Sequence, residues 1–71
     1  MNELFVKPDY IKLDQALKLS GIAFSGAEAK AMVLEGLVKV NGEVCLLRGK
    51  KLRENDIFKF ETEEYIIKFK E

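Results

Sequence analysis

The spacing of hydrophobic residues changes along the chain and so predicts different kinds of element. A short apolar run, Leu4–Val6, lies just before Pro8, which is typical of an edge strand that ends at the proline. After it, Leu13, Ala16 and Leu17 recur three and four positions apart, the period of one helical face. We therefore predict a short N-terminal strand followed by a first helix.

A second helix is predicted by its start signal. Ser25 and Glu28 form a capping box, in which the Ser25 hydroxyl accepts from the Glu28 amide and the Glu28 carboxylate reaches back to the Ser25 amide. Apolar residues follow at helical spacing, and Gly36 ends the helix. The short stretch 21–24 between the two helices predicts a tight helical hairpin.

Beyond Gly36 the hydrophobic period becomes two, which predicts strands. Val38 and Val40 alternate with Lys39, and the pair Asn41-Gly42 follows, which is the strongest short signal for a β-hairpin. Residues 57–60 and 65–69 predict two more strands, whose aromatic residues we expect to be core. The order of a strand, two helices and a small antiparallel sheet is that of an α+β fold, with one domain over residues 1–71.

Composition narrows the chemistry that the chain can support. Hydrophobic residues make up 48% and charged residues 34% of its 71 residues, which is typical of an ordered domain. The chain has no His and a single cysteine, Cys45, which excludes an internal disulfide, the usual zinc sets, and Ser–His–Asp or Cys–His catalysis. We expect Cys45 to be a buried, inert thiol. We also expect no enzymatic activity, no metal and no cofactor.

Two sequence features bear on location. The start, Met1-Asn2-Glu3, lacks a basic region followed by an apolar stretch, so we expect no signal peptide. No apolar run approaches the roughly 20 residues that cross a bilayer. We expect a cytoplasmic, soluble monomer with no membrane partner.

The charges are balanced in total but not along the chain. The 12 basic and 12 acidic side chains give a formal net charge of zero, which by itself argues against a nucleic-acid binder. Residues 30–53, however, hold six basic and two acidic side chains, a net charge of +4, against −1 for residues 1–29 and −3 for residues 54–71. This asymmetry predicts one surface that faces a polyanion.

A set of short motifs in residues 11–60 resembles the RNA-binding domain named for small-subunit ribosomal protein four, written S-four domain below. In order, the matching marks are Lys12-Leu13-Asp14, Leu17, Ser25-x-x-Glu28-Ala29-Lys30, Gly36-x-Val38-Lys39-Val40-Asn41-Gly42 and Asn55-Asp56-Ile57. The chain is most similar to the short stand-alone YaaA/YbcJ-like group, through Leu17-Lys18-Leu19, Ser25-Gly26 and Arg48-Gly49-Lys50-Lys51.

The resemblance implies a fold and a function. It implies a helical hairpin packed on a small curved antiparallel sheet, and it implies binding to structured RNA, often ribosomal RNA or a ribosomal particle, without catalysis. Many members of the family carry an Arg that contacts phosphate immediately after the Ser that caps the second helix. Here that position is Gly26, as in the short stand-alone group, so this contact is not carried over.

The candidate RNA-binding residues come from the positions that match the family motifs and from residues 48–53, which we call the basic segment. They are Lys12, Ser25, Lys30, Lys39, Asn41, Arg48, Lys50, Lys51 and Arg53. Within this set, Ser25 also serves as a helix cap and Asn41 as a turn residue. The segment 48–53 is the strongest cluster, because Arg binds phosphate with two parallel hydrogen bonds, Lys adds a compact charge, and Gly49 would let the backbone come close to RNA.

Two alternatives stay open at this stage. The helical hairpin also fits a helix-turn-helix DNA-binding protein, although the second helix offers few side chains that read bases. A small protein-interaction module, such as a sulfur-carrier-like fold, is the other alternative. Such carriers need a C-terminal Gly-Gly, whereas this chain ends Phe69-Lys70-Glu71.

Overall fold

A computed structural model describes residues 1–70, and within them the chain forms two helices and seven strands. In chain order these are β1 (Asn2–Val6), β2 (Ile11–Lys12), α1 (Leu13–Leu19), α2 (Gly26–Leu34), β3 (Val38–Val40), β4 (Glu43–Val44), β5 (Lys51–Leu52), β6 (Ile57–Phe60) and β7 (Glu63–Phe69). The predicted α+β class and the helical hairpin are confirmed.

The larger sheet has the order β1-β7-β6-β3-β4, and it is mixed. The pairs β6–β7, β3–β6 and β3–β4 are antiparallel, as predicted, but β1 runs parallel to β7. Strands joined by a tight turn must be antiparallel, whereas β1 and β7 are separated by almost the whole chain and are free to pair in parallel. The N-terminal strand therefore lies at an edge of the sheet, as its proline predicts.

A second, two-stranded sheet pairs β2 with β5. Ile11 lies opposite Leu52 and Lys12 lies opposite Lys51 in antiparallel register. The sequence predicts a basic segment over residues 48–53 but not this sheet, because strands of two residues carry no periodic signal. Leu52 is fully buried, so the sheet ties the basic segment to the hydrophobic core.

The start of α1 explains how the second sheet is held. The first amides of a helix have no partner within the helix, and Lys12 at the N-cap provides no side-chain hydrogen bond. Instead, the Leu13 amide donates to the Lys50 carbonyl oxygen at 2.8 Å, and the Asp14 amide donates to the Arg48 carbonyl oxygen at 2.9 Å. The backbone of the basic segment therefore caps α1.

The core lies between the two helices and the inner face of the larger sheet. Its fully buried members include Leu13 and Leu17 of α1, Val33 of α2, and Phe58 of β6. Phe58 stacks on Tyr65 with 5.5 Å between ring centroids. The predicted core role of the sheet aromatics is confirmed, since Phe58 is buried and its three aromatic neighbours pack against the core, namely Phe60, Tyr65 and Phe69.

Two predictions about local structure, the capping box of α2 and the burial of Cys45, need correction. The Ser25 hydroxyl accepts from the Glu28 amide at 3.1 Å, as predicted, but the Glu28 carboxylate accepts from the Phe24 amide at 2.6 Å and not from Ser25. Ser25 has the extended backbone that is usual at an N-cap. Cys45 is only partly buried, because it follows the edge strand β4, and its Sγ lies 3.7 Å from the Leu47 carbonyl oxygen.

Across the described part of the chain, neither helix has the length and apolarity that crossing a bilayer requires.

Candidate nucleic-acid interface

The two-stranded sheet presents a basic outer face. Leu52 is buried and its partner Ile11 is partly buried, so the residues on either side of them in the two strands point outward. These are Lys12 and Lys51, which are directly paired, and Tyr10 and Arg53, which extend the two strands by one residue each. We call these four outward side chains the basic ribbon.

An aromatic ring lies within the basic ribbon. The Lys51 ammonium is 4.8 Å from the centroid of the Tyr10 ring, and the Arg53 guanidinium carbon is 5.9 Å from it. Arg53 also donates from Nη1 to the Asp9 carbonyl oxygen at 3.2 Å. These contacts hold three long side chains in one arrangement, although all of them are exposed to solvent.

The other cations of the basic segment line an open groove of about 480 Å³. Its walls are Lys30 and Leu34 of α2 on one side and residues 46–50 on the other. Its apolar members are strongly exposed, with Leu34 and Leu46 at 56% and Leu47 at 67%. We call this the leucine groove. It combines an apolar floor with a basic rim of Lys30, Arg48 and Lys50.

The loop that carries these cations is fixed through its backbone. The Lys50 amide donates to the Leu47 carbonyl oxygen at 3.0 Å, which closes a turn, and the Arg48 and Lys50 carbonyls accept from the start of α1. Because the carbonyl groups face α1, the charged side chains are left free for solvent or a ligand. The backbone of this loop is therefore held by α1, and its charged side chains are exposed.

The folded chain itself does not require glycine at position 49. Its φ lies outside the left-handed region, and a Cβ at this position would meet nothing within 4 Å. Neither the backbone conformation nor the packing therefore requires glycine here. Close approach of RNA to the backbone at Gly49, which is the role expected from the sequence, stays a prediction.

Asn41 and Ser25 have well-defined structural roles in the positions that the structure gives them. The Asn41 side chain accepts from the Ile57 amide at 2.9 Å and donates to the Asp56 carboxylate at 3.1 Å, which ties the β3–β4 turn to the start of β6. Asn41 also shares an open depression of about 310 Å³ with Lys50. Ser25 caps α2 through its hydroxyl. RNA contact by either residue stays a prediction.

Lys39 lies apart from the ribbon and the groove. It projects from the outward face of β3, opposite Lys59 of β6, and lines a different depression with Lys59 and Glu61. Lys59 in turn lies opposite Glu64 of β7, so this row of the larger sheet contains an acid. Six of the nine predicted residues lie in the basic ribbon or the leucine groove, and Asn41 shares a depression with Lys50, whereas Ser25 and Lys39 lie in neither feature.

Tyr10 and the three exposed leucines are the residues of this surface that sequence analysis misses. Tyr10 immediately precedes β2, and only the pairing of β2 with β5 reveals that it lies among cations. Leu46 and Leu47 follow the end of β4 at Val44, and both are exposed. Among residues 1–70 no group of three or more His, Cys, Asp or Glu side chains is arranged to hold a metal ion.

A comparison with known families identifies the family of the chain. A family model described as the S4 domain, which is the S-four domain of the sequence analysis, matches residues 5–68. The match extends beyond residues 11–60 at both ends, and it includes the last two residues of β1 and all of β7 except Phe69. The S4 domain is an RNA-binding module. No curated protein matches the chain significantly.

Proposed function

Because the chain belongs to the S4 domain family, we propose that it is a non-catalytic protein that docks on structured RNA, and that its target is ribosomal RNA or an assembling ribosomal particle in the cytoplasm. The basic ribbon and the rim of the leucine groove form the proposed contact surface. Its cations bind phosphates, and the folded shape of the RNA supplies the selectivity, because an RNA helix hides its base edges in a deep, narrow groove.

One observation carries this proposal, namely the direct pairing of Lys12 with Lys51. Like charges in directly opposed positions of a sheet are unfavourable. The sheet has only two strands, so no further strand brings an acid beside the pair. Lys39 and Lys59 of the larger sheet are also directly paired, but Glu64 of β7 lies opposite Lys59 and so brings an acid beside that pair. An anionic ligand relieves the repulsion between Lys12 and Lys51.

The leucine groove lies next to this pair along the chain and adds cations from a different element. Lys30 comes from α2, whereas Arg48 and Lys50 come from the loop that caps α1. Because these cations are on separate elements of a packed domain, their spacing is set by the fold. A surface of this kind favours an RNA whose phosphates are held at matching distances, which is a property of folded RNA and not of a flexible single strand.

Crosslinking in cells, followed by sequencing of the attached RNA, tests the proposed target. We expect ribosomal RNA to dominate, with reads concentrated in one structured region. The matched comparison uses two triple variants that remove the same charge. One is Arg48→Gln with Lys50→Gln and Lys51→Gln, and the other is Lys7→Gln with Lys18→Gln and Lys70→Gln, all exposed residues.

The first variant should lose the crosslinks and the second should keep them. Crosslinks that scatter over messenger RNAs would contradict the ribosomal target. Recovery of duplex DNA in place of RNA would favour the helix-turn-helix alternative.

A further inference from the structure

The exposed aromatic residues of the chain differ in their surroundings. Phe24 is 89% exposed, but its amide is bound by the Glu28 carboxylate, which repels a polyanion. Phe5 lies at the sheet edge and shares a depression with Phe69. Tyr10 is 40% exposed and, within residues 1–70, is the ring that cations contact. It is therefore the exposed ring that lies where phosphates are expected.

We propose that Tyr10 stacks on an unpaired base of the bound RNA while Lys12, Lys51 and Arg53 bind the phosphates on either side of that nucleotide. The inference rests on the proposed function and adds to it the kind of RNA that is recognised. The target would contain a bulged, looped or terminal nucleotide beside a helix.

The geometry of the basic ribbon supports this role. Tyr10, Lys12, Lys51 and Arg53 point to the same side of a two-stranded sheet, so a ring and three cations are presented together. An unpaired base offers a flat π-face to an aromatic ring, and its own backbone carries a phosphate on each side. Bases within a duplex are stacked on their neighbours and cannot reach the ring.

The cation contacts also prepare the ring for a ligand. The Lys51 ammonium and the Arg53 guanidinium lie over Tyr10 and limit the positions that its side chain adopts. A ring that is already held in place loses little conformational entropy when a base stacks on it. The phosphates that accompany the base then meet cations that are already adjacent.

Two RNA hairpins with the same stem test this proposal, one fully paired and one with a single bulged adenosine. The unmodified protein should bind the bulged hairpin more tightly. Tyr10→Leu should weaken binding to the bulged hairpin by about tenfold more than it weakens binding to the paired hairpin, since base stacking on an aromatic residue contributes on this scale. Tyr10→Phe keeps the ring and should keep the preference.

Intrinsic fluorescence provides an independent measurement. The chain has no Trp and two Tyr, and the second, Tyr65, stacks on Phe58 and donates to the Ser20 carbonyl oxygen. In a Tyr65→Phe variant, Tyr10 is the only tyrosine, and its emission should be quenched by the bulged hairpin and much less by the paired one. Equal quenching by both hairpins would overturn the stacking proposal.

The outcomes separate this inference from the proposed function. If the protein binds both hairpins equally, or if Tyr10→Leu weakens both to the same extent, Tyr10 does not stack on an unpaired base, while RNA binding itself stands. If the unmodified protein binds neither hairpin, nor any ribosomal RNA fragment, the proposed function fails and the inference fails with it.

Discussion

Lys12 and Lys51 face each other across β2 and β5, so two positive side chains occupy directly opposed positions on the outer face of a two-stranded sheet. The pairing is imposed by the backbone, because the Leu13 amide donates to the Lys50 carbonyl oxygen and the buried Leu52 holds β5 against the core. The fold therefore holds two positive charges in an unfavourable arrangement, and a bound phosphate would relieve the repulsion between them.

Lys12→Gln should stabilise the free protein. The change removes the repulsion from Lys51 and a positive charge at the N-terminus of α1, each of which costs about 0.3–1 kcal/mol at low salt. Urea unfolding at low and high salt measures the gain, which should shrink as salt screens the charges. Lys39→Gln is the control. It should gain less stability, because Glu64 lies opposite Lys59 and already offsets the repulsion between Lys39 and Lys59. Equal gains for the two variants would contradict this account of the Lys12–Lys51 pair.

Gly26→Arg should strengthen RNA binding. Position 26 is glycine, whereas many related proteins carry an arginine there that contacts phosphate. A Cβ at Gly26 would meet nothing within 4 Å, so the fold has space for the arginine side chain. One added phosphate contact should steepen the dependence of log affinity on log salt by roughly 0.7–0.9. Gly26→Ala is the matched control. Identical salt slopes for the arginine and alanine variants would show that RNA does not reach this helix start.

Gly49→Ala distinguishes the contribution of this position to folding stability from its contribution to RNA binding. Since the position has open space and a φ outside the left-handed region, alanine should leave the free energy of unfolding unchanged or raise it by about 0.4–1 kcal/mol. If the RNA backbone lies against Gly49, the added methyl group should weaken RNA binding. Urea unfolding and filter binding on the same preparation give both quantities. Full RNA affinity in the alanine variant would place the RNA away from this loop.

Asn41→Ala should destabilise the domain by about 1–3 kcal/mol, because it removes hydrogen bonds to Ile57 and Asp56 and places alanine at a φ of +52°. Asn41→Gly should cost less, since glycine tolerates the backbone conformation. Thermal or urea unfolding ranks the two variants. The reverse order would show that the turn does not depend on the positive φ at this position.

The elements that could be predicted from the sequence are those whose signals are local. The cap of α2 rests on Ser25 and Glu28, and the β3–β4 turn rests on Asn41 and Gly42, whose φ values of +52° and +88° are those an Asn-Gly turn adopts. The helical face of α1 follows from its spacing in the same way. In each case the residues that decide the structure are within a few positions of one another.

The features that could not be predicted depend on contacts between distant segments. The pairing of β2 with β5 joins residues 39 and 41 positions apart, and it is this pairing that places Tyr10 beside Lys51 and Arg53. The leucine groove forms because β4 ends at Val44 and α2 lies alongside the loop that follows. The basic charge of the segment is visible in the sequence, but the aromatic ring and the apolar floor are not.

The salt dependence of RNA binding tests the central claim most directly, namely that the basic segment on β5 and its preceding loop is the RNA-binding surface. In filter-binding titrations, neutralising Arg48, Lys50 and Lys51 together should weaken binding and flatten the slope of log affinity against log salt by about two units, while the domain stays folded. The variant with Lys7, Lys18 and Lys70 neutralised carries the same net charge and should keep the original slope. Equal slopes for the two variants would contradict the claim, because the RNA would then respond to total charge and not to this surface.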